Sequence, residues 1–237
     1  MAFYKMTENK IYRRLNIHNY GCDMSCSWCF YKLNGRREPN NYLSTEEIIK
    51  HMEIVDVDRV SFVGGEPTSN PQLEEVAEYA SVQLGLITKL GHSNGAQVPP
   101  PFIDEANISI KTLRDDLSLD HCGRSGRLAL ENFRKAYDNG VKLEASTVLI
   151  PGLIDKDQVL EVAEAVSKID DRIPFHIIGY IPVPGAEWRR PTHEEMKDTF
   201  AAVSELFDKV TMSHWAPSDW KKGISKLDPR FEKVNVV

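Results

Sequence analysis

The stretch Gly21-Cys22-Asp23-Met24-Ser25-Cys26-Ser27-Trp28-Cys29-Phe30 places three of the chain's four cysteines within eight positions. Three thiols so closely spaced point to a metal. A structural zinc site takes four ligands, usually as two separated pairs, and the sequence has no second pair. A cubane iron-sulfur cluster also takes four, so three cysteines leave one iron open to bind something else. Two plainer readings stand beside this one: zinc completed by a histidine such as His18 or His121, or a disulfide with a spare thiol.

Working outward from this loop, the chain alternates strand-like and helix-like segments. Residues 11–20, with Leu15 and Ile17 alternating, read as a strand that delivers the cysteines. Downstream, the polar run from Phe30 to Leu43 carries Lys32, Arg36 and Arg37. Ser44 and Glu47 then form a capping-box pattern for a helix ending near Met52 or Val55. Arg59 to Val63 is a strand that stops at Gly64-Gly65-Glu66-Pro67, where two glycines allow close backbone approach to a ligand and proline blocks continuation. A helix from Pro71 to about Val82, with Asn70 as its cap, leads to a strand from Leu86 to His92 that ends in the turn Ser93-Asn94-Gly95. The prolines at 99–101 exclude a helix after it.

The next strand, Asn107 to Leu113, alternates with period two, so if Ile108 and Ile110 face outer helices, Ser109 and Lys111 face inward. An inward lysine needs an anion. Cys122 falls in a glycine-bracketed loop, Asp120 to Gly126, and reads as a half-buried, inert thiol. Residues 127–139 are a helix presenting Leu128, Leu130, Phe133 and Ala136, stopped by Asn139-Gly140. Strand Lys142 to Ile150, helix Asp157 to Ile169 and strand Pro174 to Ile181 follow, the helix with Val159, Val162, Ala163 and Val166 on one face. A last helix, capped by Thr192 with Glu195 at the box position, runs to about Phe207. The tail, 211–237, holds Trp215 and Trp220 and is expected to pack on the core formed by residues 11–210. Six strand-helix repeats predict one α/β domain over 1–237, a partial (β/α)6 barrel with a parallel sheet, right-handed at each crossover and open at the side.

At 237 residues and 41% hydrophobic content, the chain can bury a core as a single domain. No apolar run has the roughly 18 residues of a membrane span, and Lys5, Glu8, Lys10 and Arg13 interrupt any signal-peptide pattern, so a cytoplasmic protein is expected. Clustered cysteines suit a reducing compartment that keeps thiolates available. The net charge of -6 argues against broad nucleic-acid binding.

The spacing Cys-x3-Cys-x2-Cys, with Trp28 before the last cysteine, resembles the cluster loop of the radical S-adenosylmethionine (SAM) enzymes. The resemblance implies a [4Fe-4S] cluster on Cys22, Cys26 and Cys29, with SAM chelated at the open iron and cleaved to a 5'-deoxyadenosyl radical that abstracts hydrogen. Gly64-Gly65-Glu66-Pro67 resembles the family's GGE motif, which holds the methionine ammonium. Ser93-Asn94 stands where the family has a Thr-Asn-Gly turn, and Ser109 with Lys111 where relatives carry Asp-x-Lys, the lysine then facing the methionine carboxylate. His176 and Gly179, on the sixth strand, are placed by the same resemblance beside the adenosine, with Gly179 making room for adenine or ribose. Leu128 to Gly152 is similar to the corresponding part of pyruvate formate-lyase activating enzyme and its relatives.

That similarity, from about Ile17 to Phe207, implies hydrogen abstraction from a glycine of a partner protein. Lys32, Arg36 and Arg37, a basic loop close after Cys29 on an otherwise acidic chain, read either as a solvated loop or as the place to which an acidic flavodoxin or ferredoxin is steered as electron donor. The usual Asp-Gly-Pro-Gly before the cysteines is replaced here by Arg13-Arg14-Leu15-Asn16 and His18-Asn19-Tyr20. Radical modification of a small molecule, as in 7-carboxy-7-deazaguanine synthase, and a non-catalytic iron-sulfur or zinc protein are the alternatives.

Overall fold

Strand formation begins earlier than the alternation around Leu15 and Ile17 indicates. In the computed structural model, which describes residues 1–34, 38–215 and 234–235, β1 (Ala2–Asn9) pairs antiparallel with β2 (Arg14–Tyr20) across a turn at 10–13 in which Arg13 has φ 45°. Residues 11–13 therefore belong to this turn. A register shift between Phe3 and Lys5 breaks the period-two pattern of β1, which hides it in the sequence.

The remaining elements are α1 (Thr45–Ile54), β3 (Arg59–Val63), α2 (Leu73–Glu78), β4 (Ile87–Ser93), β5 (Glu105–Ser109), α3 (Asp115–Cys122), α4 (Gly126–Asp138), β6 (Lys142–Leu149), α5 (Lys156–Ser167), β7 (Phe175–Gly179), α6 (His193–Ser204), β8 (Val210–Ser213) and β9 (Val234–Asn235). They build a nine-stranded sheet in the order β8-β7-β6-β5-β4-β3-β2-β1-β9. Every pairing from β2 to β8 is parallel, and β1 pairs antiparallel with both β2 and β9. The sheet is open, with β8 and β9 at opposite edges. The six expected strands are β2 to β7; β1, β8 and β9 extend them. Residues 216–233, including Trp220, lie outside the described residues, whereas 211–213 of the expected tail belong to β8 and Trp215 is half-buried.

Register and alternation separate two faces. On the outer face Leu15 neighbours Val60, Ile17 neighbours Phe62, and Phe62 neighbours Leu90, all fully buried with Ile48, Met52 and Val76 of the covering helices. The inner face is polar: Arg14 beside Arg59, Asn16 beside Ser61, Lys89 beside Glu105 and Lys142, and Ser109 beside Ser146, His176 and Thr211. A core on one side and a wet chamber on the other explain why the strands alternate although parallel.

The caps follow the sequence closely. Ser44 and Glu47, and Thr192 and Glu195, both form complete capping boxes, and Val159, Val162, Ala163 and Val166 are fully buried on α5. Several boundaries move. The helix expected over 71–82 is α2 followed by a π-helical turn, Tyr79–Gln83, and Asn70 accepts from the Gln72 N–H just before it. The strand expected to reach Leu113 stops at Ser109, because the chain turns off the sheet and Thr112 instead bonds Gln158 of α5. Residues 115–122 form α3, closed by Gly123 in the left-handed region (φ 77°), not a loop; its sequence DDLSLDHC carries no apolar period to announce it. On α4 the buried positions are Gly126, Ala129, Asn132, Phe133 and Ala136, and Leu128 points to solvent. α6 ends at Ser204, three residues before the buried Phe207.

Phe3 links the unanticipated β1 to the core: its ring lies 5.7 Å from that of Phe62, and both side chains are fully buried. Phe3→Ala is expected to cost about 3–5 kcal/mol, read as a lowered urea midpoint with an unchanged slope; a cost below about 1 kcal/mol would show that β1 is not integral to the core.

Candidate metal and cofactor site

The cysteine loop leaves β2 at Gly21, whose φ of 95° lets the chain turn off the sheet. The Gly21 carbonyl accepts from the Glu66 N–H at 2.9 Å and from Asn19 Nδ2 at 3.0 Å. Asn19, fully buried in its contacts, also donates to the Glu66 carbonyl at 3.2 Å and accepts from Asn70 Nδ2 at 3.0 Å. This approach demands glycine at 65: a Cβ there would stand 1.9 Å from the Gly21 oxygen, on a residue with φ 50°. Gly64, with φ 89°, is pressed on the Asn19 carbonyl in the same way, its Cβ position 2.7 Å away.

Glu66 is fully buried, and its carboxylate ties two turns together. Oε1 accepts from the Thr68 N–H at 3.1 Å, Thr68 Oγ1 at 2.7 Å and Ser93 Oγ at 3.0 Å, while Oε2 accepts from the Asn94 N–H at 2.5 Å. Burial pushes its pKa up, and the donated hydrogen bonds oppose the rise. Among the described residues no cation pairs with it. A buried carboxylate with donors but no counter-charge is suited to an incoming ammonium. Pro67 opens the short 3-10 turn Pro67–Ser69. Asn94 carries the link to the cysteines, donating from Nδ2 to Asp23 Oδ1 at 2.8 Å and to Cys22 Sγ at 3.6 Å.

All four cysteines are free thiols. Cys22 is wetted from the open side but otherwise surrounded by protein. Desolvation, with the nearby Glu66 and Asp23 charges, pushes its thiol up to about 11 against the hydrogen bond from the Met24 N–H. A bound metal would reverse this by stabilising the thiolate. Cys122 is fully buried at the end of α3, not half-buried in a loop. Its hydrogen bond with Cys26 and its burial both push its thiol up. The α3 terminus also holds the loop backbone: Ser25 N–H donates to the Cys122 carbonyl at 3.1 Å and Ser27 N–H to the His121 carbonyl at 2.9 Å. Trp28 is buried between the His121 ring at 5.8 Å and the Trp188 ring at 6.3 Å.

Among the described residues no three His, Cys, Asp or Glu side chains converge as ligands of a single ion would. A four-iron cube asks for something different, one thiolate on each of three separate irons. Cys22, Cys26 and Cys29, none in a disulfide and all on one loop beside a buried carboxylate that no cation pairs with among the described residues, fit that cluster and an amino-acid ligand on its open iron.

The inner wall beyond the loop is cationic. Lys111 Nζ donates to Ser109 Oγ at 2.6 Å and has no acidic partner among the described residues. His92 is open to the chamber yet ringed by protein, and that environment, then the charges of Lys111, His176 and Lys89, push its pKa down. His176 faces the same chamber, held by Thr211 Oγ1 at 2.7 Å and Ser213 Oγ at 3.1 Å, its pKa lowered by burial. Gly179 does not: a Cβ there would meet His214, Ser213 O and Met196 of α6 at 3.0–3.1 Å, so the room it makes is for packing on the outer face. Asn19, Asp23 and His92 were not read as site residues from the sequence, and Asn70 was read only as a helix cap; the position of Asn19 at a strand end beside Gly21 offered a signal.

An open parallel sheet, with a three-thiol loop, a glycine turn and a buried carboxylate at the carboxyl ends of its strands, defines a cluster-binding SAM domain of the partial-barrel kind. The sequence profile of the Radical SAM superfamily matches residues 16–166, and the chain belongs to that superfamily. Its members use a [4Fe-4S] cluster and SAM. A Methanocaldococcus jannaschii protein provisionally named as a glycyl-radical enzyme activating enzyme is 26% identical over 174 residues, 71% of this chain and 68% of its own. GTP 3',8-cyclase of Clostridium acetobutylicum is 27% identical over 220 residues, 85% of this chain and 66% of its own.

Among solved structures, Streptococcus suis SuiB bound to SAM superposes with a TM-score of 0.63 at 18% identity, over 86% of this chain and 52% of SuiB. SuiB has also been solved with its precursor peptide SuiA. This chain thus spans about half the length of SuiB. A domain of pyruvate-formate lyase-activating enzyme from Bacteroides vulgatus superposes with a TM-score of 0.54 at 19% identity, over 65% of this chain and 98% of that domain.

Replacing Cys22, Cys26 or Cys29 singly with alanine is expected to reduce iron after anaerobic reconstitution to a small fraction of wild type, while Cys122→Ala keeps it. Near-normal iron in any of the first three variants would remove the cluster assignment. Gly65→Ala, which meets a backbone oxygen and puts alanine at positive φ, is expected to lower the melting temperature by at least ~2–4 °C for each kcal/mol of strain and to lower iron content in parallel. Wild-type values for both would mean that the two turns do not need this contact.

Proposed function

We propose that the protein cleaves SAM reductively and uses the resulting radical to take a hydrogen from a segment of a partner protein, as the glycyl-radical activating enzymes do. When bound, the cluster supplies one electron to the sulfonium, releasing methionine and a 5'-deoxyadenosyl radical that becomes 5'-deoxyadenosine by gaining the substrate hydrogen. The observation that carries the reading is Glu66: fully buried, paired with no cation among the described residues, and joined through Asn94 to the Cys22 loop. In this role Glu66 and the 64–65 backbone hold the methionine ammonium, and Lys111, with no acidic partner among the described residues, faces its carboxylate. Ser109 orients Lys111, and His176 lines the wall on the adenosine side.

Support for a protein substrate comes from the sheet's open edges and from the named activity of the M. jannaschii relative. A small-molecule substrate is the second reading, favoured by the charged inner face and by the similarity to GTP 3',8-cyclase. Lys32 donates to the Ser27 carbonyl at 2.6 Å, which puts its charge at the cluster loop, where an acidic flavodoxin or ferredoxin would dock; Arg36 and Arg37 lie outside the described residues. A cytoplasmic location is part of the same proposal, and among the described residues no helix is long and apolar enough to cross a membrane.

Reduced enzyme incubated anaerobically with SAM is expected to yield 5'-deoxyadenosine and methionine. With host proteins added, a persistent glycyl radical is expected by electron paramagnetic resonance, and hydrogen from that glycine in the 5'-deoxyadenosine. Transfer of deuterium from a small metabolite without a protein radical would replace the activating reading with the second one.

A further inference from the structure

At the amino ends of the strands, opposite the cysteine loop, the inner face carries a charge imbalance. Arg14 and Arg59 are directly in register on β2 and β3, so two guanidinium groups are neighbours on one face. The next row on this face, which continues Asn16 and Ser61, holds Lys89, Glu105 and Lys142 on β4, β5 and β6, so Lys89 stands diagonal to Arg59. One carboxylate serves three of these cations: Glu105 lies 3.7 Å from Arg59, 3.6 Å from Lys89 and 3.2 Å from Lys142. The first two contacts are long for hydrogen bonds, so Glu105 is shared without saturating any of them. Glu144 lies one row further along beside Asn107, and Asp58, which precedes Arg59, feels the Arg59 charge but is hydrogen-bonded to Arg13.

Arg14 is left out of this arrangement. Among the described residues its Nε is buried without a hydrogen-bond partner, its guanidinium lies over the Tyr12 ring at 5.7 Å, and the like charge it faces is Arg59. Burial and that like charge both disfavour its charged form. A half-buried guanidinium with an orphaned donor beside a second guanidinium is costly unless an anion completes it.

We propose that Arg14, Arg59 and Lys89 form a subsite for an oxyanion, carboxylate or phosphate, carried by the substrate. The inference rests on the inner face being the chamber where the radical meets its substrate, and it adds what that substrate must carry. Arg59 is five residues from Gly64 along β3, so the oxyanion lies roughly 15 Å from the cofactor end at ~3.3 Å per residue. The substrate therefore has its charged group well separated from the hydrogen that is removed. In a peptide this is an acidic or phosphorylated side chain a few residues from the attacked position; in a metabolite it is the far end of an extended molecule.

Inorganic phosphate and succinate are the probes, titrated into the cluster-loaded protein against sodium chloride at matched ionic strength, with calorimetry and melting temperature as readouts. One of the two is expected to bind and raise the melting temperature, and which one does so distinguishes phosphate from carboxylate. Arg14→Gln and Arg59→Gln are each expected to weaken that binding at least ~10-fold, the worth of one charge-assisted hydrogen bond. In anion-free buffer Arg14→Gln should melt no lower than wild type, since it removes an uncompensated charge.

Binding no better than chloride, undiminished binding by the variants, or a clear loss of stability in Arg14→Gln without anion would each overturn the subsite. Formation of 5'-deoxyadenosine by the wild-type protein is measured separately. Its absence would refute the radical chemistry whatever the anions do.

Discussion

The contact between the Gly21 carbonyl and the backbone of the 64–66 turn is the constraint on which the rest of the site depends. Two glycines meet there because a side chain on Gly65 would overlap a backbone oxygen. The same carbonyl takes hydrogen bonds from Glu66 and Asn19. The cysteine loop therefore does not lie free above the sheet. It is fixed at its start by β2 and β3, and further along by the α3 terminus, where His121 and Cys122 accept from the loop backbone. In the proposed function a cluster held by only three residues would need such rigidity, because its open iron would have to stay aligned with Glu66.

Glu66 shows how a buried charge can be kept. Taking a carboxylate out of water costs several kcal/mol, and hydrogen bonds to charged groups return ~1.5–3 kcal/mol each. Thr68, Ser93 and Asn94 supply four of them. That holds the group in place while leaving its charge unneutralised. The inner face repeats the pattern at lower density: Lys111 held by Ser109, His176 by Thr211 and Ser213, Arg14 with an orphaned nitrogen. Lys111 is oriented by a neutral hydroxyl and Arg14 keeps an unfilled donor, so both charges remain available to a ligand, while His176 is held in place by two hydroxyls as a ring whose charged form burial disfavours. The outer face, with Leu15, Ile17, Val60, Phe62 and Leu90 fully buried, carries the hydrophobic stabilisation that offsets this arrangement.

The sequence by itself determined the cysteine loop, the glycine turn and the Ser93-Asn94 turn, together with strands β2 to β7 and both capping boxes. These signals are local: a spacing of thiols, a strand ending in Gly-Gly, a serine or threonine three residues before a glutamate, an alternation of period two. Tertiary structure alone decided what depends on contacts between distant segments. β1 was hidden by a register shift, α3 by the lack of an apolar face, and the outward turn of Leu128 by packing that favours Ala129 and Phe133. Gly179 faces α6 because the register of β7 sets it on the outer side. Asn19, 47 residues from Glu66 in sequence, and Cys122, 96 residues from Cys26, enter the site only when the sheet brings their elements together. Hydrogen bonds and charge balance between such residues depend on spatial proximity, which short-range sequence patterns do not encode.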